Sequence, residues 1–402
     1  MITVDEALDR IFTRIPTPLP ETVPLSRAHR RVLVTPLLAK HTQPPFDASA
    51  MDGYAVRAGE IEPGKPVFMA GTSQAGARFT GMMQSGECVR IFTGAPLPIG
   101  ADAVIMQEQA TAHGNQVVFH KAARVGQSVR RKGNDFTEGK ELLPAGVGLT
   151  PAMLNLAASA NYPELTVAKR PRLAILATGD ELVPPGTTLG PDQIVSSNTY
   201  GLIPLLSPYA DKVVDLGIVK DDKPALEKAI LGAFDYGVEV LITSGGASVG
   251  ERDYVQDVLR DLGVTLDFWK ILMRPGKPLM FGTRGKTLVF GLPGNPTSAF
   301  VTATVLVRPA LRLMTGHTDP FFPFMGVPLA ADLPPNGERR HFVRGKLNRN
   351  EIGFLEVSPI AETDSNHSSS LAEADALIIQ PENDAGTPAG EIVEIIPLSL
   401  LS

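Results

Sequence analysis

Apolar and polar residues follow different spacings in different parts of the chain. Between residues 43 and 148, short alternating runs such as GKPVFMAG and ECVRIFTG lie among many glycines, which predicts a small, mainly β domain. Residues 151–161 read as a short helix, with Pro151 suited to its first turn. Near the amino terminus an apolar stripe typical of an amphipathic helix falls on Ile2, Val4, Ala7, Leu8, Ile11 and Ile15.

From Pro171 onward, nearly continuous apolar runs alternate with helix-like segments. Buried strands are predicted by RLAILATGDEL, KVVDLGIVKDD, VEVLITSGG and KTLVFGLPG. After the first of them, SNTYGLIPLLSPYA reads as a helix with Ser197 or Asn198 as its cap. This alternation indicates a parallel sheet covered by helices on both faces. Ligands of such sheets bind beyond the carboxyl ends of the strands, which is where the glycine-rich turns fall.

A proline-rich boundary at residues 316–326 separates this region from the last one. Beyond it lie four short alternating runs, HFVRGKL, FLEVSPI, ALIIQP and EIVEIIPL. They predict a small β barrel over residues 327–402.

Composition narrows the class of protein. A chain of 402 residues exceeds one ordinary core, so we expect about two to four domains. The formal charge of −6 argues against a nucleic-acid-binding protein. Cys88 is the only cysteine, which excludes an internal disulfide and a cysteine metal site. The amino terminus does not read as a signal peptide, and no apolar run reaches the roughly 18 residues of a membrane span. We therefore expect a soluble, cytoplasmic protein without a membrane or nucleic-acid partner.

The segment TSGGASVGERD, residues 243–253, carries the strongest chemical signal. Glycines at a strand-to-helix turn let backbone N–H groups approach an anion, and the helix amino terminus adds partial positive charge. Asp253 suits a metal that bridges phosphates. The alternative is an ordinary turn in which Asp253 serves the helix dipole. The phosphate-binding interpretation rests on Gly245, Gly246, Ser248 and Gly250.

Two further turns lie at strand ends of the same predicted sheet. ATGDEL places Glu181 where a metal or hydroxyl ligand is expected, although glycine and aspartate also favour plain turns. FGLPGNPTSAF is stiffened by Pro293 and Pro296 before a helix, and it is equally consistent with turn chemistry alone.

The segment FWKILMRPGKPLMFG brings three cations together, Lys270, Arg274 and Lys277. Such a group suits an oxyanion, since arginine offers a fork and lysine a point charge. The alternative is a solvated basic turn. In the β region, IFTGAPLPIGADAVI carries Thr93, and VRRKGNDF carries Asp135 beside Arg130 and Arg131, where a surface ion pair is the ordinary interpretation. The seven histidines show no ligand spacing, and no catalytic triad is apparent.

Taken together, seven stretches resemble the molybdopterin molybdenumtransferase family, which includes the bacterial MoeA type and the E domain of gephyrin. They occur in the family's order over nearly the whole chain: PPFDASAMDGYAV, RIFTGAPLPIGADAVI, TGDEL, LGIVKDD, SGGASVGERDYV, WKILMRPGKPLMFG and GLPGNPTSAF.

The resemblance implies a multidomain α/β and β fold in an elongated homodimer. A three-layer α/β/α domain with a mostly parallel sheet is expected at 1–20 and 169–320, and a linking domain at 21–42 and 143–168. A β-rich domain is expected at 43–142, where it covers the partner's active site, and a carboxy-terminal β barrel at 321–402.

The reaction that the resemblance implies joins molybdate to the dithiolene of adenylyl-molybdopterin and releases AMP, with Mg²⁺ required. Glu181 and Asp253 would bind the magnesium. Other enzymes of molybdenum-cofactor synthesis and apo-molybdoenzymes are possible partners. The phosphate or nucleotide would be held by Gly245, Gly246, Ser248, Gly250, Pro293 and Pro296.

The same resemblance gives roles to the remaining positions. Asp52, Thr93 and Asp135 match positions that matter for activity and would reach the cleft from the partner subunit, so Asp47 is left as a turn residue. Asp222 in VKDD also matches such a position. Molybdate would be bound by Lys270, Arg274, Lys277, Arg344, Ser365 and Ser370.

Two departures from the family pattern affect the oxyanion site. Arg274 stands where many relatives carry lysine, and Asp364 replaces a common glycine before Ser365. Three alternatives stay open: the adenylyltransferase of the preceding step, a tungstate-preferring insertase, and a scaffold protein. The adenylyltransferase is normally a single short domain, and no long linker or fused domain supports a scaffold.

Overall fold

The computed structural model describes residues 1–246, 254–321, 324–361 and 366–398. Within these residues, three sheets have six strands each; the first has a hydrophobic core of its own, and the other two also share a cluster that contains Ile175 and Phe342. Four two-stranded sheets complete the described strands. The chain is therefore a multi-sheet α/β protein. Among the described helices, none is long and apolar enough to cross a membrane.

Helix α1 (Val4–Phe12) begins after Thr3, whose hydroxyl oxygen accepts a hydrogen bond from the Glu6 N–H at 3.1 Å. The predicted amino-terminal helix is confirmed. It is shorter than the apolar stripe, because Ile2 forms a β-bridge to Ile271 before the helix starts. The residues that α1 buries are Val4, Ala7, Leu8 and Ile11.

The glycine-rich region folds as strands, as its alternating pattern predicts. After β1 (Pro20–Pro24) and β2 (Leu37–Leu38), a six-stranded sheet has the order β7-β4-β6-β5-β9-β8, while β3 pairs with β10. The strand bounds are β3 Ala48–Ser49, β4 Gly53–Val56, β5 Pro66–Ser73, β6 Glu87–Ile91, β7 Ala103–Met106, β8 Ala110–His113, β9 Gln116–Phe119 and β10 Val129–Arg130.

Two short sheets join chain segments on either side of that β region. Strand β11 (Glu141–Leu143) pairs with β2, and β12 (Glu164–Ala168) pairs with β1. Between them, α2 (Pro151–Ser159) has Pro151 in its first turn and is capped by the Thr150 hydroxyl, which accepts from the Met153 N–H. The predicted helix is confirmed here.

The third region is built around a six-stranded sheet of order β16-β13-β17-β21-β20-β18. The first four strands are mutually parallel, and β20 runs antiparallel to both of its neighbours, β21 and β18. Its strands and helices are β13 Arg172–Thr178, β14 Leu182–Val183, β15 Ile194–Val195, α3 Asn198–Leu206, β16 Lys212–Val219, α4 Lys223–Tyr236, β17 Val240–Ser244, α5 Tyr254–Asp261, β18 Thr265–Trp269, β19 Met273–Arg274, β20 Met280–Arg284, β21 Thr287–Leu292, α6 Pro296–Thr302 and α7 Arg308–Met314.

Alternating side chains of this sheet bury opposite faces. Ile175 and Ile242 pack with α1, α3, α6 and α7, whereas Leu176 and Leu241 pack with α4 and α5. The sheet is therefore covered on both sides, as the continuous apolar strands predict.

The long helix that the sequence predicts after residue 296 contains an irregular turn. Residues 303–307 form a π-helical segment between α6 and α7. Pro309 lacks the N–H that a regular helix would donate four residues back, and a wider turn accommodates this loss.

The carboxy-terminal strands pair in the order β19-β23-β25-β26-β22, with β24 beside β23. A bridge between Leu329 and Val357 connects the chain after β22 to β24, which closes the sheet into a barrel. Strand β19 belongs to the segment before this region, so the cation-bearing chain is hydrogen-bonded to the barrel. The bounds are β22 Met325–Pro328, β23 Arg340–Arg349, β24 Leu355–Pro359, α8 Ser368–Glu373, β25 Ala376–Gln380 and β26 Ile392–Pro397.

Candidate active site

A cleft of about 570 Å³ opens at the carboxyl ends of β13, β17 and β21. It lies where ligands of parallel α/β sheets bind. Its walls come from the three turns that follow those strands, together with the start of α3 and Asn366 near the barrel. The predicted site residues that it brings together are Glu181, Gly245, Gly246, Pro293 and Pro296.

The turn after β17 requires its two glycines. Gly245 and Gly246 have φ angles of +95° and +64°. A Cβ on Gly245 would lie 2.3 Å from the Thr178 carbonyl oxygen, and one on Gly246 would lie 2.2 Å from a methyl carbon of Val255. A side chain at either position would clash with the protein itself, so the turn lines the cleft with bare backbone. Ser248, Gly250 and Asp253, predicted for phosphate and metal binding, lie outside the described residues.

Carboxylates lie on the β13 and β16 side of the cleft. Glu181 lines it, and so does Asp221, whose Oδ1 accepts a hydrogen bond from the Thr178 hydroxyl at 2.5 Å. The Asp221 N–H donates to Asp180 Oδ1 at 3.2 Å. Asp222, the predicted position, instead caps α4 by accepting from the Ala225 N–H at 3.1 Å. The sequence interpretation missed Asp221, because two adjacent aspartates cannot be told apart before the strand end is placed.

The described residues contain no cluster of three or more His, Cys, Asp or Glu side chains that could hold a metal ion. Glu181 and Asp221 nevertheless fit a magnesium ion, which usually takes one or two carboxylates together with substrate phosphates and water.

Lys270, Arg274 and Lys277 lie on the segment between β18 and β20, and Pro278 of this segment lines the cleft. The Lys270 ammonium lies 4.3 Å from the centre of the Trp269 ring. Arg274 belongs to β19 and pairs with His341 of the barrel, whereas Lys277 is exposed. The cations therefore lie beside the cleft, near the barrel.

The barrel contributes a buried polar pair close to this cleft. Arg344 Nη1 donates to Ser370 Oγ at 2.6 Å, and both residues are about 95% buried. The His367 carbonyl accepts from Ser370 Oγ at 2.9 Å and from the Thr297 hydroxyl of α6 at 3.3 Å. The predicted residues Arg344 and Ser370 are thus brought together against the start of α6. Ser365 and Asp364 lie outside the described residues.

His341 adds a titratable group beside Arg274. Burial, followed by the positive charge of Arg274, lowers the pKa of the imidazole to about 4. The side chain is hydrogen-bonded to Gln380, which opposes this shift. His341 is therefore neutral at neutral pH, and the charge of this corner comes from the neighbouring arginines.

In the β region, Asp52 and Thr93 form a contact that the sequence interpretation did not specify. Asp52 Oδ1 accepts from the Thr93 N–H at 2.7 Å and from its hydroxyl at 2.8 Å, and these bonds hold the pKa of Asp52 below its usual range. Both residues are exposed, as is Asp135, whose N–H donates to the Gln43 carbonyl. Asp47 binds the Arg131 guanidinium and the Lys132 N–H, as a turn residue does.

A second cavity, of about 350 Å³, lies between α1, α7 and the barrel. Four charged residues line it, Asp5, Arg308, Arg340 and Glu394, and two of them, Asp5 and Arg340, form a two-point ion pair with N–O distances of 2.7 and 2.8 Å. Most of the other lining residues are apolar, and no glycine of a strand-end turn is among the described residues that line it. The chemistry expected of an anion-binding site therefore belongs to the larger cleft.

Comparison with known proteins matches nearly the whole chain to one family. Residues 2–161 match the MoeA N-terminal region (domain I and II), residues 174–313 a probable molybdopterin binding domain, and residues 326–398 the MoeA C-terminal region (domain IV). A molybdopterin molybdenumtransferase of Haemophilus influenzae is 36% identical over 100% of both chains. The chain belongs to the molybdopterin molybdenumtransferase family.

Other relatives agree with this assignment. Molybdopterin molybdenumtransferase 2 of Mycobacterium tuberculosis is 36% identical over 94% of this chain and 95% of its own length. A crystal structure of a molybdopterin biosynthesis MoeA protein from a Pyrococcus species has a TM-score of 0.83 at 29% identity, covering 99% of both chains. As a member of the molybdopterin molybdenumtransferase family, the chain is a transferase.

Besides Asp221, the structure adds Asn198 and Ser244 to the cleft, which sequence reasoning did not assign to this family's site. Asn198 Nδ2 donates to Ser244 Oγ and to the Gly294 carbonyl, both at 2.7 Å. The only available signal was the position of Asn198 before a predicted helix, and that pattern indicated a cap. The side chain instead reaches across to two strand-end turns.

Proposed function

We propose that this chain inserts molybdenum during molybdenum-cofactor synthesis. It would join molybdate to the dithiolene of adenylyl-molybdopterin and release AMP by hydrolysis of the phosphoanhydride. The observation that carries the proposal is the cleft itself: a glycine turn with open backbone and two carboxylates line it, and the segment that bears the three cations reaches it through Pro278. We assign the phosphoanhydride to the glycine turn and to the carboxylates, which would hold its magnesium ion, and we assign molybdate, a small dianion, to the cations.

The phosphate end of the substrate is assigned to the turn after β17. The open backbone at Gly245 and Gly246 lets phosphate oxygens approach closely, while the Gly245 N–H itself donates to the Leu292 carbonyl at 3.2 Å and so holds the turn instead of binding the phosphate. Pro293 and Pro296 form the facing wall of the cleft. The same role extends to Ser248 and Gly250.

Magnesium is assigned to Glu181 and Asp253, and Asp221 is added here as a further carboxylate. Bound magnesium would neutralise charge on the phosphoanhydride. The Thr178 hydroxyl, by donating to Asp221, orients that carboxylate in the cleft. No nucleophilic side chain is needed, since water attacks the phosphoanhydride.

Molybdate is assigned to the cations beside the cleft, with Lys270 and Arg274 as charged binding groups. Arg274 offers a fork of donors to two oxygens, whereas lysine offers a single point charge. Arg344 and Ser370 are held together by their mutual hydrogen bond and would bind from the barrel side. Lys277 and Ser365 complete the assigned group.

The active unit is proposed to be a homodimer, elongated and built from four domains per chain. The domains are taken as 1–20 with 169–320, 21–42 with 143–168, 43–142, and 321–402. Asp52, Thr93 and Asp135 would reach the cleft of the partner subunit, and Asp222 would act indirectly through α4. We place the protein in the cytoplasm, where other cofactor-synthesis enzymes and apo-molybdoenzymes are possible partners.

The proposal is tested with the purified chain, adenylyl-molybdopterin, magnesium and molybdate, by measuring AMP and active cofactor together. We expect both products to appear, to depend on molybdate, and to be lost on chelation of the metal. Release of AMP without dependence on molybdate, or no release, would contradict the proposal. Tungstate in a parallel reaction measures oxyanion preference, and ATP with molybdopterin tests the adenylyltransferase alternative.

A further inference from the structure

Two turns of the cleft are joined by one side-chain amide. Asn198, the first residue of α3, donates its two Nδ2 hydrogens to Ser244 Oγ and to the Gly294 carbonyl, at 2.7 Å each. Ser244 ends β17 immediately before the two glycines, and Gly294 lies in the turn after β21. All three residues line the cleft.

The orientation of this amide follows from its partners. A backbone carbonyl only accepts hydrogen bonds, so the group facing Gly294 must be the NH₂ and not the amide oxygen. The second hydrogen of the same NH₂ then goes to Ser244 Oγ, which accepts it. Ser244 is 98% buried, and the hydrogen that it can still donate is its own hydroxyl hydrogen.

The geometry points to Ser244 as a ligand of the substrate phosphate and to Asn198 as the residue that positions it. Because Asn198 supplies a hydrogen to Ser244 Oγ, the Ser244 hydroxyl is set as a donor toward an acceptor in the cleft. A phosphate oxygen at the Gly245–Gly246 turn is such an acceptor. The assignment rests on the proposed function only in taking a phosphate as the ligand of this cleft.

Neither aspartate nor alanine could replace the side-chain amide of Asn198. An aspartate has no hydrogen to give and would face the Gly294 carbonyl with a negative charge. Alanine would remove both amide hydrogen bonds and keep the Gly245 N–H bond to the Leu292 carbonyl. Asn198 thus fixes the distance between the two turns and the direction in which the Ser244 hydroxyl donates its hydrogen.

The test measures AMP binding to the full chain by calorimetry for wild type, Asn198→Ala, Ser244→Ala and the double variant. Each single variant is expected to weaken AMP binding about tenfold, as for a hydrogen bond to a charged group. The double variant should bind no more than about twofold more weakly than Ser244→Ala, because both changes remove the same donor. In turnover with adenylyl-molybdopterin, KM should rise about tenfold while kcat stays within about twofold.

Asn336 provides the matched control. It also donates both amide hydrogens, to the Arg339 and Pro381 carbonyls at 2.7 and 2.8 Å, but it does so in the barrel. Asn336→Ala should lower the melting temperature as much as Asn198→Ala does, and leave AMP binding unchanged.

Three results would overturn the inference: AMP binding by Asn198→Ala equal to wild type, full additivity of the two changes, or an equal loss of binding in Asn336→Ala. A wild-type chain that does not bind AMP would overturn it as well. If wild type binds AMP in an Asn198-dependent way but makes no cofactor, the proposed function fails and this inference stands.

Discussion

Single residues fix the shape of the cation-bearing segment beside the cleft. Gly276 lies between Arg274 and Lys277 with φ of +109°, and a Cβ there would lie 2.3 Å from Thr302 Oγ1. Thr302 is fully buried and β-branched, so its hydroxyl cannot swing aside easily. The spacing of the two cations therefore depends on a glycine that carries no chemistry itself.

Gly276→Ala is expected to destabilise the protein by about 2 to 4 kcal/mol, because left-handed strain and a clash with Thr302 add together. It should also weaken molybdate binding. Gly285→Ala is the matched control, since Gly285 has φ of +58° and open space around its Cβ, so only the strain of about 1 kcal/mol applies. Denaturant unfolding of both variants gives the comparison; equal losses would contradict the role of Thr302.

His341 predicts a specific pH dependence of stability. Its pKa is about 4 in the folded state, against about 6.5 when unfolded. The unfolded chain thus takes up a proton first, and the stability that His341 contributes is complete above about pH 6.5 and is lost as pH falls toward 4. His341→Gln should remove up to about 3 kcal/mol of this acid-side loss.

Denaturant unfolding at pH 7 and pH 4.5 measures the effect. The same substitution at exposed His113 is the control for losing an imidazole elsewhere. If His341→Gln keeps the full wild-type loss between these two pH values, the imidazole is not the group responsible.

At the scale of the elements, the two adjacent aspartates before helix α4 have different roles. Asp222 caps the helix, whereas Asp221 lines the cleft with its carboxylate held by the Thr178 hydroxyl. A strand-to-helix junction gives the two positions different surroundings, and the sequence VKDD does not distinguish them. The resemblance pointed to Asp222, and the contacts favour an indirect role for it.

Asp222→Ala is expected to cost about 1 kcal/mol of stability, and Asp222→Ser much less, because serine is also a good cap. Both should keep most of the activity at a temperature where they are folded. Asp221→Asn should do the reverse, with stability near wild type and turnover reduced at least about tenfold. Activity lost equally in Asp222→Ala and Asp222→Ser, without loss of stability, would return a direct site role to Asp222.

On the scale of the whole molecule, the proposed dimer explains why Asp52 and Thr93 are exposed yet hydrogen-bonded to each other. Their contact keeps a carboxylate charged and oriented on the surface of the β region. In the proposed dimer, this charged and oriented carboxylate would lie at the cleft of the partner subunit.

Mixing inactive variants tests this composite site. Asp52→Asn and Glu181→Gln subunits should each be inactive alone, and after unfolding and refolding together they should regain about a quarter of wild-type activity. In half of the dimers one cleft then receives both intact residues. Persistent inactivity of the mixture, with heterodimers shown by mass spectrometry, would place both residues in the same subunit's cleft.

Much of the architecture follows from local pattern. The amino-terminal helix, the continuous apolar strands and the glycine turn after β17 could be predicted, since apolar spacing reports burial and glycines report positive φ or close backbone approach. The π-helical segment before Pro309 could not be predicted as readily, because proline permits a helix end, a kink or a wider turn, and packing selects among them.

By itself, the sequence determined the order of the elements, the turns that carry glycine, and the membership in a family. Only the tertiary structure decided which side chains meet: Asn198 with Ser244 and Gly294, Arg344 with Ser370, and Asp221 rather than Asp222 with the cleft. The physical reason is the distance along the chain over which each effect acts. Backbone preference and apolar periodicity act over a few residues, whereas a hydrogen bond between side chains depends on how distant segments pack, and the local pattern does not encode that distance.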